Sequence, residues 1–180
     1  MIAYPLTVEF LQTNLEKSFY FLLWISILLS MMLATENIFL DDFSDGTLEQ
    51  TIISNTSFPL LIANKIFIYW LMIGVPISFL SFLFSLSLTQ DFNLSLSIFP
   101  LSVVSSYIFL NLFVFGNALS LNKGSVLGAI ITMPLALPVL IILGKSVIAI
   151  EFGINYVEFL LLLLGILSII ITIVPFIISV

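Results

Sequence analysis

Residues 159–180 read FLLLLLGILSIIITIVPFIISV, a run of 22 residues without a charged side chain. A membrane-spanning helix needs roughly 20 apolar residues to cross about 30 Å of hydrocarbon, so this stretch alone is long enough for one crossing. Reading back from Glu158, further charge-free runs lie between Lys123 and Lys145, Asp91 and Lys123, Lys65 and Asp91, and Lys17 and Glu36. The run after Asp91 is longer than one crossing needs and includes interfacial residues. The pattern predicts an all-α integral membrane protein with spans near residues 18–35, 66–90, 97–120, 124–146 and 159–179, all within a single transmembrane domain over 1–180.

The composition agrees with this reading. A chain that is 61% hydrophobic and 8% charged cannot cover itself with the roughly 25% charged residues a water-soluble domain carries. Its solvent is lipid. Cysteine and histidine are both absent, which removes disulfides, thiolate metal sites, the usual general base and the commonest haem ligands. Only Met or Tyr could serve as axial ligands, so any haem handled here would take its stronger ligands from a partner, and no metal site or bound cofactor is expected. A net charge of −6 is the wrong sign for nucleic acid, whose phosphates need clustered cations. Without His, Cys or Arg no nucleophile and base pair, metal cluster or phosphate loop can be assembled, which points away from an enzyme.

Within the spans, Pro76, Pro134 and Pro138 are expected to kink their helices, and neighbouring groups would re-satisfy the carbonyls they free. Ser78, Ser81, Ser85 and Ser87, with Gly124 and Gly128 at GxxxG spacing, suit close helix approach; lining a substrate path is the other use open to them. The Lys distribution does not orient the protein: with five spans, Lys65 and Lys123 fall on one side and Lys17 and Lys145 on the other.

Residues 36–58 are the exception. This stretch, ENIFLDDFSDGTLEQTIISNTSF, holds Glu36, Asp41, Asp42, Asp45 and Glu49 and no basic residue. Phe39 with Phe43 and Leu48 with Ile52 recur at helical spacing, so the segment can lie along a membrane surface or a protein groove. Asp45-Gly46 breaks it, and Thr47 with Gln50 has the spacing of a capping box, which predicts a short helix restarting at Thr47. Anionic head groups would repel the acidic charge, so the segment fits a basic protein surface better than a bilayer; a solvated loop is the plainer alternative. Two further patterns are decoys. A calcium loop starting at Asp41 would have Phe43 and Ile52 where oxygen ligands belong, and Gly144-Lys145-Ser146 follows Val139 where a phosphate-binding loop needs its first glycine.

LDDFSDGTLEQ at residues 40–50, followed by Ala63 and Lys65 and then Tyr69-Trp70, resembles the CcmB family, in which a DGSLEQ-type acidic motif precedes an Ala-Lys and an aromatic-Trp pair. Gly74 and Pro76 resemble the family's Gly-Leu-Pro, Lys123-Gly124 its basic loop, and residues 135–143 its Leu-rich span. Tyr4-Pro5-Leu6 is similar to the Phe-Pro-Leu that closes the first of six spans, so the chain is expected to begin at that span's tail. Tyr69 stands where the family often has His, and the second basic residue of the loop is missing. The resemblance implies a six-span ABC-type permease lacking most of its first span, the permease subunit of the transporter for cytochrome c maturation. It implies a bacterial or mitochondrial inner membrane, a CcmA-type ATPase that binds the ATP, and CcmC, CcmD and a CcmE-type haem chaperone as further partners. Asp41, Asp42, Asp45, Gly46, Thr47, Leu48, Glu49 and Gln50, with Lys123 and Gly124, would form the surface that couples to the ATPase. Export of another substrate, or a structural or proton-handling place in a respiratory complex, are the alternatives; for the latter only Glu151 and Glu158 come near a span.

Overall fold

A computed structural model describes the backbone over residues 3–36, 38, 58–120 and 125–178, and side chains over 19–36, 38, 58–120, 127–128, 130–150 and 152–178. Its elements are α1 (Ala3–Thr35), α2 (Phe58–Tyr69), a π-helical turn (Trp70–Gly74), α3 (Val75–Thr89), α4 (Phe92–Leu119), α5 (Ser125–Glu151) and α6 (Val157–Ile178). Among the described residues there is no strand. Phe58–Thr89, Phe92–Leu119, Ile130–Ile150 and Val157–Ile178 are each long and apolar enough to cross a membrane, and Phe19–Thr35 is a shorter apolar helix.

Helix α4 is the axis of the bundle, packed against α1, α3, α5 and α6. Its Ile98, Leu101, Ile108, Phe109, Leu110, Phe113 and Val114 are buried. The surrounding helices bury one strip each and turn apolar side chains outward, with Met72 71% and Phe176 67% exposed. Polar groups lie inside instead: Ser78, Ser81, Ser85, Ser95, Ser102, Ser105, Ser106 and Asn111 are buried. Such an apolar exterior would aggregate in water and is the ordinary surface of a protein dissolved in lipid.

Short turns set the antiparallel order. Helix α3 ends where Gln90 takes a left-handed conformation, φ 55°. The next residue, Asp91, caps α4 by accepting the N–H groups of Asn93 at 2.9 Å and Leu94 at 3.3 Å, which satisfies donors a helix start leaves unpaired. Between α5 and α6, Gly153 (φ 67°) provides the reversal, and Asn155 Oδ1 accepts the N–H of Val157 at 3.2 Å to start α6.

The prolines occur as expected inside spans, joined by Pro100 in α4 and Pro175 in α6. Pro76 stands in the first turn of α3, directly after the π turn. Lys65, which bounds a charge-free run, lies half-buried inside α2, so that helix starts well before the run does. Gly144, Lys145 and Ser146 belong to α5, where Ser146 Oγ donates to the Leu143 carbonyl at 2.7 Å and Lys145 is exposed.

Candidate functional site at one end of the bundle

Asp41, Asp42, Asp45, Gly46, Thr47, Leu48, Glu49, Gln50, Lys123 and Gly124 all lie outside the described residues. The helix ends that bracket them are described, and the end of α1 is joined to α4 near its own end. Asn117, near the end of α4, donates through Nδ2 to the Thr35 carbonyl at 2.8 Å and to Thr35 Oγ1 at 3.2 Å. Thr35 is fully buried at the last residue of α1, and its hydroxyl reaches back to the Met31 and Met32 carbonyls, each at 3.0 Å. The α2–α3 span and α5 both run antiparallel to α4, so the starts of α2 and α5 fall at this same end. The acidic stretch and the Lys123-Gly124 loop are thus both bracketed by helix ends at one face of the bundle, where the α1 terminus is fixed to α4.

Directly beneath, α4 and α5 touch backbone to backbone. A Cβ on Gly116 would lie 2.5 Å from the Gly128 carbonyl oxygen and 2.5 Å from Thr132 Cγ2; one on Gly128 would lie 2.6 Å from the Gly116 oxygen and 2.7 Å from Ser120 Oγ. Only glycine permits that approach at either place. The close contact expected of Gly128 is present, with Gly116 of α4 as its counterpart.

Farther into the bundle, hydroxyls bridge helices. Trp70 Nε1 donates to Ser106 Oγ at 3.1 Å, and Ser78 Oγ lies 3.3 Å from the same oxygen. Tyr20 Oη sits 3.2 Å from Ser85 Oγ, which donates to Ser95 Oγ at 3.2 Å. Ser78, Ser81 and Ser85 are buried as packing residues should be, whereas Ser87 is exposed. Sequence reasoning missed Asn117 and Thr35. The available signal was a carboxamide inside an apolar run, since such groups in a span seek a partner on another helix.

Two apolar grooves flank α1. One of about 220 Å³ lies against α5, lined by Tyr20, Trp24, Gly144 and Val147 among others; the other, about 370 Å³, lies against α3 and includes Leu22, Ser26, Ile77 and Ser81. Among the described residues no three Asp or Glu side chains gather to hold a metal ion.

The arrangement defines an all-α integral membrane protein, a helical bundle that exposes apolar side chains to lipid and ties the end of α1 to α4. The chain belongs to the CcmB protein family, which matches it over residues 3–180. It is 31% identical over 135 residues to the Heme exporter protein B of Haemophilus influenzae, covering 74% of this chain and 61% of that protein. To the Heme exporter protein B of Pseudomonas aeruginosa it is 32% identical over 161 residues, covering 88% and 72%, and to that of Bradyrhizobium diazoefficiens 29% over 124 residues, covering 67% and 55%. The chain therefore spans about three fifths of the length of the Haemophilus relative.

Proposed function

We propose that this chain is the membrane-embedded permease subunit of an ABC transporter that supports cytochrome c maturation, with ATP hydrolysis carried out by a separate CcmA-type subunit. Membership of the CcmB family over nearly the whole chain carries the reading, and relatives named Heme exporter protein B tie it to haem. The chain contributes no catalytic group; with no His or Cys it suits a mechanical part in haem delivery better than a haem-holding one. CcmC, CcmD and a CcmE-type haem chaperone complete the assembly, in a bacterial or mitochondrial inner membrane. The acidic segment, centred on Asp41 to Gln50, is the handle by which the ATPase moves the spans, with Lys123 and Gly124 beside it. The tie that holds the α1 terminus just before it supports this, because a push transmitted to Thr35 passes to α4 through Asn117 and so reaches the bundle.

Replacing Asp45, Gly46 and Glu49 together tests the handle. The expected result is loss of the ATPase subunit from the purified complex while the chain still inserts; full co-purification removes the docking assignment. Loss of haem-dependent cytochrome assembly in a deletion strain is expected too, and intact assembly there would reassign the transporter to another substrate.

A further inference from the structure

The span from Phe58 to Thr89 is continuous in sequence and divided in structure. Its outer half, α2, leans on α6 and meets α4 only briefly, while its inner half, α3, lies along α4. The change of partner falls at the π turn, where the Val75 N–H reaches back to the Trp70 carbonyl. The widened turn absorbs an extra residue just ahead of Pro76, which has no N–H to offer the preceding turn. The turn is tied to α4 through the Trp70 side chain. The Trp70 indole lies over Gly74 so closely that a Cβ there would come within 2.3 Å of Cδ1. The ring also packs against Tyr107 of α4, tilted by 39° with centroids 4.8 Å apart, and donates to Ser106 of α4 at 3.1 Å. Ser106 and Ser78 have carbonyls of their own, on Val103 and Gly74 at 2.9 and 2.7 Å. Breaking the indole bond therefore leaves these two hydroxyls satisfied and frees only the indole N–H.

We propose that Trp70–Gly74 is a hinge on which α2 swings against a stationary α3, latched by the Trp70 indole on Ser106. Widened π turns are among the few features that let a helix change direction without orphaning its backbone. With 12 residues in α2 the swinging arm is about 18 Å long, so a turn of roughly 15° carries its far end about 5 Å. That far end is where the acidic segment joins. The source of the motion, a push by the ATPase, rests on the permease reading; the hinge and its latch do not.

The chain has no cysteine, so paired spin labels can be placed on it without background before it is assembled with its ATPase subunit in lipid nanodiscs. Leu61→Cys on α2 with Leu119→Cys on α4 reports the swing, both sites being exposed; exposed Leu88→Cys on α3 with Leu119→Cys is the stationary control. Ser106→Ala and Trp70→Phe each remove the latch by a different route, so a folding failure of one leaves the other. In nucleotide-free complex, both are expected to shift the Leu61–Leu119 distance by up to about 3–4 Å, the travel of Leu61 in the swing above, while the control distance stays fixed. ATP trapping is expected to produce the same shift in the unmodified background. Unchanged distances in both latch variants overturn the hinge. A shift in the variants without one on ATP trapping upholds the hinge and counts against the ATPase-driven reading instead.

Discussion

At the scale of single residues, the glycines and tryptophans of this chain divide by what surrounds them. Gly116 and Gly128 face each other's backbone, which cannot rotate aside, so Gly128→Ala is expected to destabilise by about 1–3 kcal/mol as an overpacking change. A Cβ at Gly165 meets nothing within 4 Å, and Gly165→Ala should fall within about 0.5 kcal/mol of neutral. Thermal unfolding of both variants in the same detergent checks the contrast; equal losses would mean that the α4–α5 contact is looser than described. The tryptophans differ in the same way. Trp70 has Ser106 as acceptor, whereas the Trp24 Nε1–H is buried with no acceptor among the described residues. A buried donor left unpaired carries a desolvation penalty of about 1–3 kcal/mol, so Trp24→Phe removes a liability along with some packing. Trp24→Phe is therefore expected to lower the melting temperature less than Trp70→Phe, and the reverse order would show that the Trp24 N–H is satisfied in the membrane.

At the scale of elements, the end of α1 depends on a side chain 82 positions away, Asn117 donating to Thr35. Asn117→Ala should cost about 0.6–2 kcal/mol, the usual range for a polar contact between spans, and most of the effect should be local. Amide hydrogen exchange is expected to rise over residues 31–36 and to stay unchanged at the Asp91 cap at the opposite end; a uniform rise would mean that Asn117 supports the whole bundle and not that terminus. This pair also shows where the sequence stops being legible. Spans could be located because lipid demands a long apolar run whatever the helix packs against. Their starts could not: Lys65 closes a charge-free run and yet sits within α2, since a long ammonium side chain can accompany an apolar helix toward the interface. Contacts such as Thr35–Asn117 or Trp70–Ser106 join residues from different elements, and no local periodicity encodes which pair will meet. The π turn was equally hidden, although Gly74 and Pro76 at its end mark a place where an ordinary helix has reason to change its winding.

At the scale of the molecule, the bundle has two unlike ends. Among the described residues, one carries the start of α1 with the Gln90–Asp91 turn and the short 152–156 connection, the latter two closed by their own hydrogen bonds. The other carries the longer acidic stretch between α1 and α2 and the Lys123-Gly124 connection between α4 and α5. Antiparallel packing about α4 makes this sidedness a firm geometric consequence, and charge counting alone could not assign it because Lys residues fall evenly on both sides. Membrane-impermeant maleimide applied to sealed vesicles of each orientation tests it, again without endogenous thiols. Asp45→Cys and Lys123→Cys are expected to react from one side only, and from the same side, which should be the ATP-hydrolysing one; Ile154→Cys, whose parent residue is 59% exposed, should react from the other. Reaction of positions 45 and 123 from different sides would contradict the bundle itself, because α1 and α4 would then have to part at Thr35 and Asn117. Reaction of both from the side away from ATP would leave the bundle intact and remove the acidic handle, since no ATPase could reach it.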